Sequence, residues 1–192
     1  MPLSHKPRIS ELIDALEASE KSIFDGPVWR VARARRDSLV GSRPKGRWDN
    51  GSFDVLYTSL EADGAMAEMY FHLLRGQPVF PSRMEFTLTE ISLSLKGALK
   101  LADMNALASL GVDATNFGRA HYARRLNEYT RTQEIAETAH FIGFDGMIVP
   151  NARWDCGNVV VFTERVGMKD LSVINERTPV DWETWQQRIS TT

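Results

Sequence analysis

Apolar positions along the chain alternate between two spacings, and the switches mark out its elements. Ile9, Leu12, Ile13 and Leu16 recur at helical intervals and predict an amphipathic helix over about 9–24, which Asp25-Gly26-Pro27 ends. VWRVA at 28–32 has strand composition, and FDVLYTS at 53–59 reads as the next strand after an Asn50-Gly51 turn signal. Helical spacing returns over 61–76, with Ala62, Met66, Met69 and Leu73 on one stripe. Met84, Phe86 and Leu88 alternate as in a strand, and Leu99 and Leu101 fall in a further short one. A short helix precedes Gly111, and Thr130 with Gln133 has capping-box spacing for a helix that reaches about Ile142 before Gly143. GMIVP is a short apolar strand ending at Pro150, NARWDCGN a polar loop, and VVVFTE at 159–164 a buried strand. A last strand covers 171–174, and Thr178-Pro179-Val180-Asp181 predicts the start of a helix over about 179–189. Strands thus lie at both ends of the chain. That predicts one α+β domain over 1–192, with a mixed, mainly antiparallel β core and flanking helices.

Composition narrows the class. The 192 residues are 43% hydrophobic and 25% charged, as in an ordinary globular domain with a real core. A net charge of −2 argues against a dedicated nucleic-acid binder. The single cysteine, Cys156, excludes an intramolecular disulfide and a multi-cysteine zinc site, and suits a reducing compartment. No apolar run reaches membrane-spanning length, so the expectation is a cytoplasmic protein with no membrane contact. His5, His72, His121 and His140 show no metal-ligand spacing, and no metal is expected. Neither a Walker A motif nor GxGxxG is present.

Positive charge is nevertheless concentrated. Arg30, Arg33, Arg35, Arg36, Arg43, Lys45 and Arg47 fall within eighteen residues. A solvated face, a nucleic-acid contact and an anion pocket all fit such a run. Arg30 lies inside an apolar run, where a guanidinium without partners is costly to bury. Gly46 and Trp48 flank Arg47, offering close backbone approach beside an indole. Arginine grips phosphate oxygens bidentately, so a diphosphate pocket is one reading. Tyr57 closes a strand, and its ring either packs or stacks on a planar heterocycle. Glu68 lies opposite the Met66, Met69 and Leu73 stripe. It is either a solvated carboxylate or, with Gly64 one turn earlier on the same face, borders an open notch suited to a cationic reacting centre. Cys156 with His121 or His140 is a weaker thiol–imidazole candidate. Trp182 and Trp185 put an aromatic face on the last helix, for packing or for docking.

Taken in order, Arg30 after an apolar–aromatic pair, KGRW with Asn50-Gly51, LYTS, AMAE on a helix, TQEIAETAHFIGFDGMIVPNAR and GNVVVF resemble the RES domain. This is the toxin half of bacterial RES–Xre toxin–antitoxin pairs. The resemblance spans about 28–165 and implies a fold and an NAD-binding cleft like those of ADP-ribosyltransferase toxins. It implies cleavage of the nicotinamide–ribose bond of NAD+, with ADP-ribose passed to water, phosphate or a protein. It also implies an Xre-like helix-turn-helix antitoxin as partner. Carried onto this chain, Arg30 and Arg47 match the family's arginines, Tyr57 its tyrosine and Glu68 its helix glutamate. Arg30 and Arg47 would hold the pyrophosphate, Tyr57 would stack on nicotinamide, and Glu68 would stabilise positive charge on the ribose. Two departures stand out: Lys45 replaces the first glycine of GGRW, and Asn151 replaces the serine after proline. An asparagine can replace a serine that hydrogen-bonds NAD+, but not a hydroxyl that moves a proton. A catalytically silent binding module is therefore the alternative, and a nucleic-acid binder using the basic segment a third reading.

Overall fold

The structure, a computed structural model, describes residues 10–74, 84–118, 125–175 and 177–190. Its spine is a pair of long antiparallel strands, β1 (Lys21–Arg33) and β3 (Phe86–Lys100), paired from Lys21–Leu99 to Arg33–Phe86. Between them in sequence lie β2 (Val55–Ser59) and helix α2 (Ala62–Leu73). After β3 come α3 (Met104–Ser109), α4 (Arg125–Ile142), β4 (Gly146–Pro150) and β5 (Gly157–Phe162). β6 (Leu171–Val173), the two-residue β7 (Thr178–Pro179) and α5 (Trp182–Ser190) complete the chain, which α1 (Ser10–Glu17) opens.

The strand path runs β1-β2-β5-β4-β3-β6, and the further β1–β3 pairing joins β1, β2, β5, β4 and β3 into a ring. Among the described strands only β3 with β4 is parallel; the other pairings are antiparallel. The mixed, mainly antiparallel α+β class is therefore as expected. Alternation divides the strands between two cores. Leu56, Val159 and Val161 join Val28, Ile91, Leu93 and Leu95 in one, while Val55, Val160 and Phe162 face the other with α1 and α4 residues such as Leu12, Leu16 and Ile135. Both faces are covered, which explains why VVVF is apolar without alternation. A third cluster packs α2 and α5 against β1 and β3, burying Met66, Val31, Phe86 and Trp185. Trp185 is 5% exposed, and its indole donates to Asp63 at 3.0 Å, so this ring is spent on packing rather than docking.

Several boundaries differ from the sequence expectation, each for a tertiary reason. The first helix stops at Glu17, and Lys21 to Phe24 with Asp25-Gly26-Pro27 are strand. The long β3 edge supplies partners that override the local stop signal, and β1 meets β2 only at Trp29, so its other edge tolerates a proline. The two strands expected near 86 and 99 are one. α4 begins before Thr130, so no capping box forms there, and Gln133 instead donates to the Gly46 carbonyl at 2.7 Å. Asp181 rather than Thr178 caps α5, accepting from the Thr184 amide at 3.1 Å; antiparallel pairing of the exposed Thr178-Pro179 with β3 leaves them extended.

Candidate active site

Between α2, β1, β2 and the 42–48 loop lies a cleft of ≈ 390 Å³ lined by Arg30, Arg47, Tyr57 and Glu68, among others. Residues far apart in sequence thus meet, because β1 and β2 are adjacent in the ring and α2 follows directly from β2.

Asp49 builds the basic wall. Its buried carboxylate accepts from the Lys45, Gly46 and Gly51 amides at 2.9, 2.8 and 3.2 Å and from the Tyr57 hydroxyl at 3.0 Å. The Tyr57 oxygen accepts from the Trp48 amide at 2.9 Å, so the ring is fixed at both its strand and its hydroxyl. Burial, and then the Asp49 carboxylate, push this phenol well above its ordinary pKa, and it stays a donor. A Cβ on Gly46 would lie 2.8 Å from the Tyr57 hydroxyl oxygen. Gly46 lines the cleft and also makes room for the Tyr57 hydroxyl within the protein. Lys45 has φ of +54°, a left-handed conformation that explains a glycine at this position in the family pattern. The Trp48 indole is buried in the core.

Arg47 lies against two rings, its guanidinium carbon 4.3 Å from the Phe117 centroid and 5.1 Å from that of Tyr129. Arg30 donates through Nη1 to the Ser38 and Val40 carbonyls at 2.8 and 3.1 Å. The rest of that guanidinium has no hydrogen-bond partner among the described residues. Burial, then Arg36, lower its pKa to about 10 against the opposing pull of Asp37, which leaves it charged at neutral pH. Arg43 does not join them, pairing instead with Asp54 at 3.1 Å and Glu164 at 3.2 Å.

Glu68 projects from α2 toward the loop after β4. Its Oε1 accepts from the Ala152 amide at 3.1 Å and from Asn158 Nδ2 at 3.4 Å. His72, one turn on, places Nε2 4.0 Å from Oε2. The notch expected beside Glu68 is filled: a Cβ on Gly64 would meet Ser59 Oγ at 2.3 Å, Cys156 Sγ at 2.5 Å and Asn151 Nδ2 at 3.0 Å. Alanine improves helix propensity by about 1 kcal/mol over glycine, whereas forcing atoms into a packed site costs about 1–3 kcal/mol. Gly64→Ala is expected to lower the melting temperature, which thermal unfolding checks; a gain would restore the open notch.

Asn151, expected to touch NAD+, is not among the residues lining this cleft. Its amide is consumed within the protein, donating to the Gly64 carbonyl at 3.3 Å and Asn158 Oδ1 at 2.9 Å and accepting from the Arg153 and Trp154 amides at 2.7 and 3.0 Å. The thiol–imidazole pair does not form with His140, which stacks on Phe53 while Cys156 lies 3.3 Å from Ser59 Oγ. Burial raises the Cys156 pKa, the reverse of activation. His121 lies outside the described residues. No group of three or more His, Cys, Asp or Glu among the described residues could hold a metal, and no described helix is long and apolar enough to cross a membrane.

Sequence reasoning missed Asp49, Asn158 and Arg153. Asp49-Asn50-Gly51 carried a usable signal, an Asx-type turn whose side chain gathers amides. Asn158 carried a weaker one, an amide opening an apolar strand. Arg153, which stacks on Phe71 with its guanidinium carbon 3.2 Å from the ring centroid, had none.

The fold has a solved counterpart. A chain of the crystal structure of the M. tuberculosis MbcT–MbcA toxin–antitoxin complex superposes with a TM-score of 0.78 at 19% identity, covering 93% of this chain and 97% of that one. No curated protein matches in sequence. The RES domain model matches residues 27–183, which takes in the cleft, every residue that lines it and all of the ring except residues 21–26 of β1, and the chain belongs to the RES domain family.

Proposed function

We propose that this protein is the toxin of a toxin–antitoxin pair and cleaves the nicotinamide–ribose bond of NAD+, passing ADP-ribose to water, phosphate or a protein. The carrying observation is that Arg30, Arg47, Tyr57 and Glu68 line one cleft. Arg30 and Arg47 supply two guanidinium groups for the pyrophosphate. Tyr57, fixed through its hydroxyl, offers a ring face to nicotinamide. When the glycosidic bond breaks, its electron pair stays with nicotinamide, which leaves neutral, so no general acid is needed. Positive charge develops on the ribose, and the Glu68 carboxylate stabilises it. The acceptor then attacks the anomeric carbon and releases its proton. The chain is read as cytoplasmic, with an Xre-like helix-turn-helix antitoxin covering the toxin, in keeping with the toxin–antitoxin complex that shares its fold.

The binding-module alternative rests on Asn151, and the four hydrogen bonds its amide makes within the protein favour a structural role for it over one on NAD+. The nucleic-acid reading loses Arg43 to two carboxylates and Arg30 to burial. Nicotinamide release from NAD+ by purified, antitoxin-free protein is the test, with and without bacterial lysate. Release is expected. Label transferred to a lysate protein identifies a protein acceptor, and no release from folded protein under either condition overturns the proposal.

A further inference from the structure

We infer that Asn151 is a positioning residue that fixes the Glu68 carboxylate through both of its N–H donors; this rests on the proposed cleavage of NAD+. The two donors to Glu68 Oε1 are the Ala152 amide and Asn158 Nδ2. Asn151 governs each. Its Oδ1 gathers the Arg153 and Trp154 amides at 2.7 and 3.0 Å, forming the turn that holds the intervening Ala152 amide toward Glu68. Its Nδ2 donates to Asn158 Oδ1 at 2.9 Å, and this sets the direction of the Asn158 amide. With its oxygen engaged by Asn151, Asn158 can present only N–H to Glu68. The chain of donors therefore has one polarity, from Asn151 to Asn158 to the carboxylate.

Asn151 is itself anchored, at 7% exposure, by its bond to the Gly64 carbonyl one helical turn before Glu68. The missing Cβ of Gly64 makes room for that approach, since an added one would lie 3.0 Å from Nδ2. One side chain thus ties the glutamate's own helix to the loop and strand that orient the glutamate. Asn151 uses two donors and two acceptors, whereas a serine hydroxyl has one donor, so a serine could not satisfy all four contacts. A carboxylate that needs no reorganisation as ribose charge develops stabilises it most.

The experiment is steady-state kinetics of nicotinamide release by the full chain with Asn151→Ala, Asn151→Asp, Asn158→Ala and the Asn151→Ala/Asn158→Ala double variant. Residues that orient a reacting group through hydrogen bonds are worth about 10–100-fold. Asn151→Ala is expected to lose kcat in that range, with KM for NAD+ changed less than about threefold. Melting temperatures of all the variants guard against a folding artefact, and Asn151→Asp is nearly isosteric and keeps both acceptor bonds. It cannot donate, the Asn158 amide turns to serve it, and Asn158 oxygen then faces Glu68; kcat falls comparably. The double variant is expected to lose less than the product of the single losses, since the two residues act in series. A rise in KM at unchanged kcat would place Asn151 on NAD+ and overturn the inference, as would full multiplicativity. Absence of turnover by the wild type sinks the cleavage proposal instead. The positional claim is then read from crystal structures of wild type and Asn151→Ala, where an unmoved Glu68 carboxylate overturns it.

Discussion

Glu68→Gln is expected to slow nicotinamide release by about 10³-fold or more while changing KM for NAD+ less than about threefold. The substitution removes one negative charge and almost nothing else. The glutamine carbonyl oxygen can keep both bonds that Oε1 accepts, from the Ala152 amide and Asn158 Nδ2. Its side chain is 26% exposed, so the new amide hydrogens reach water and no buried donor is stranded. Stability should therefore change little. Loss of one preorganised electrostatic contact to a transition state costs about 2.7–4 kcal/mol in well-studied cases. In the proposed cleavage the lost group is a full charge facing a developing cation, which puts the effect at or above that range. NAD+ in the ground state carries its positive charge on nicotinamide rather than on the ribose, so binding suffers less than turnover. Single-turnover rates at saturating NAD+, with melting temperatures alongside, check this. Wild-type turnover in a folded Glu68→Gln protein would remove Glu68 from the chemistry.

Much of the cleft's membership was legible because each member sits in a short local pattern. Arg30 interrupts an apolar strand and Glu68 opposes a helical apolar stripe, and both settings persist in the fold, while Tyr57, read as closing a strand, lies at the middle of β2. What periodicity could not carry is the filling of space between elements. On a helical wheel Gly64 is simply a position without a side chain. Whether that position is a vacancy or a contact depends on Ser59, Cys156 and Asn151, which arrive from β2 and from the loop after β4. Asn151 shows the same limit, since its place after proline is visible in the sequence but the direction of its amide is not. The long β1–β3 pair was hidden for another reason. Asp25-Gly26-Pro27 is a genuine local breaker, and only partners more than sixty residues away in sequence outweigh it.

Asp49→Ala is expected to destabilise the protein by about 3–4 kcal/mol and to raise KM for NAD+ by tenfold or more. Four donors converge on its carboxylate, three of them backbone amides of the Lys45–Gly51 turn and the fourth the Tyr57 hydroxyl. Alanine leaves these donors without their acceptor in a site where Asp49 itself is fully buried. Each unmade buried bond costs about 1–3 kcal/mol, and partial rearrangement or water entry recovers some of the sum. The turn also holds Lys45 at φ of +54°, a conformation costing an L-residue about 1–2 kcal/mol, so it relaxes once Asp49 is gone. Arg47 lies within that turn and Tyr57 loses its hydroxyl anchor, which moves together the two walls proposed to meet the phosphates and the nicotinamide ring. Glu68 belongs to α2 and the loop after β4, so kcat at saturating NAD+ should fall less than affinity. Asn is the discriminating control: it keeps one acceptor oxygen for Lys45 and Gly51, but sets an N–H₂ against the Gly46 amide. Asp49→Asn should therefore lose about 1–2 kcal/mol. Urea unfolding midpoints give the stability order, and KM for NAD+ gives the functional one. Equal stability of Asp49→Ala and wild type would mean that the turn holds itself, and unchanged KM would detach it from NAD+ binding.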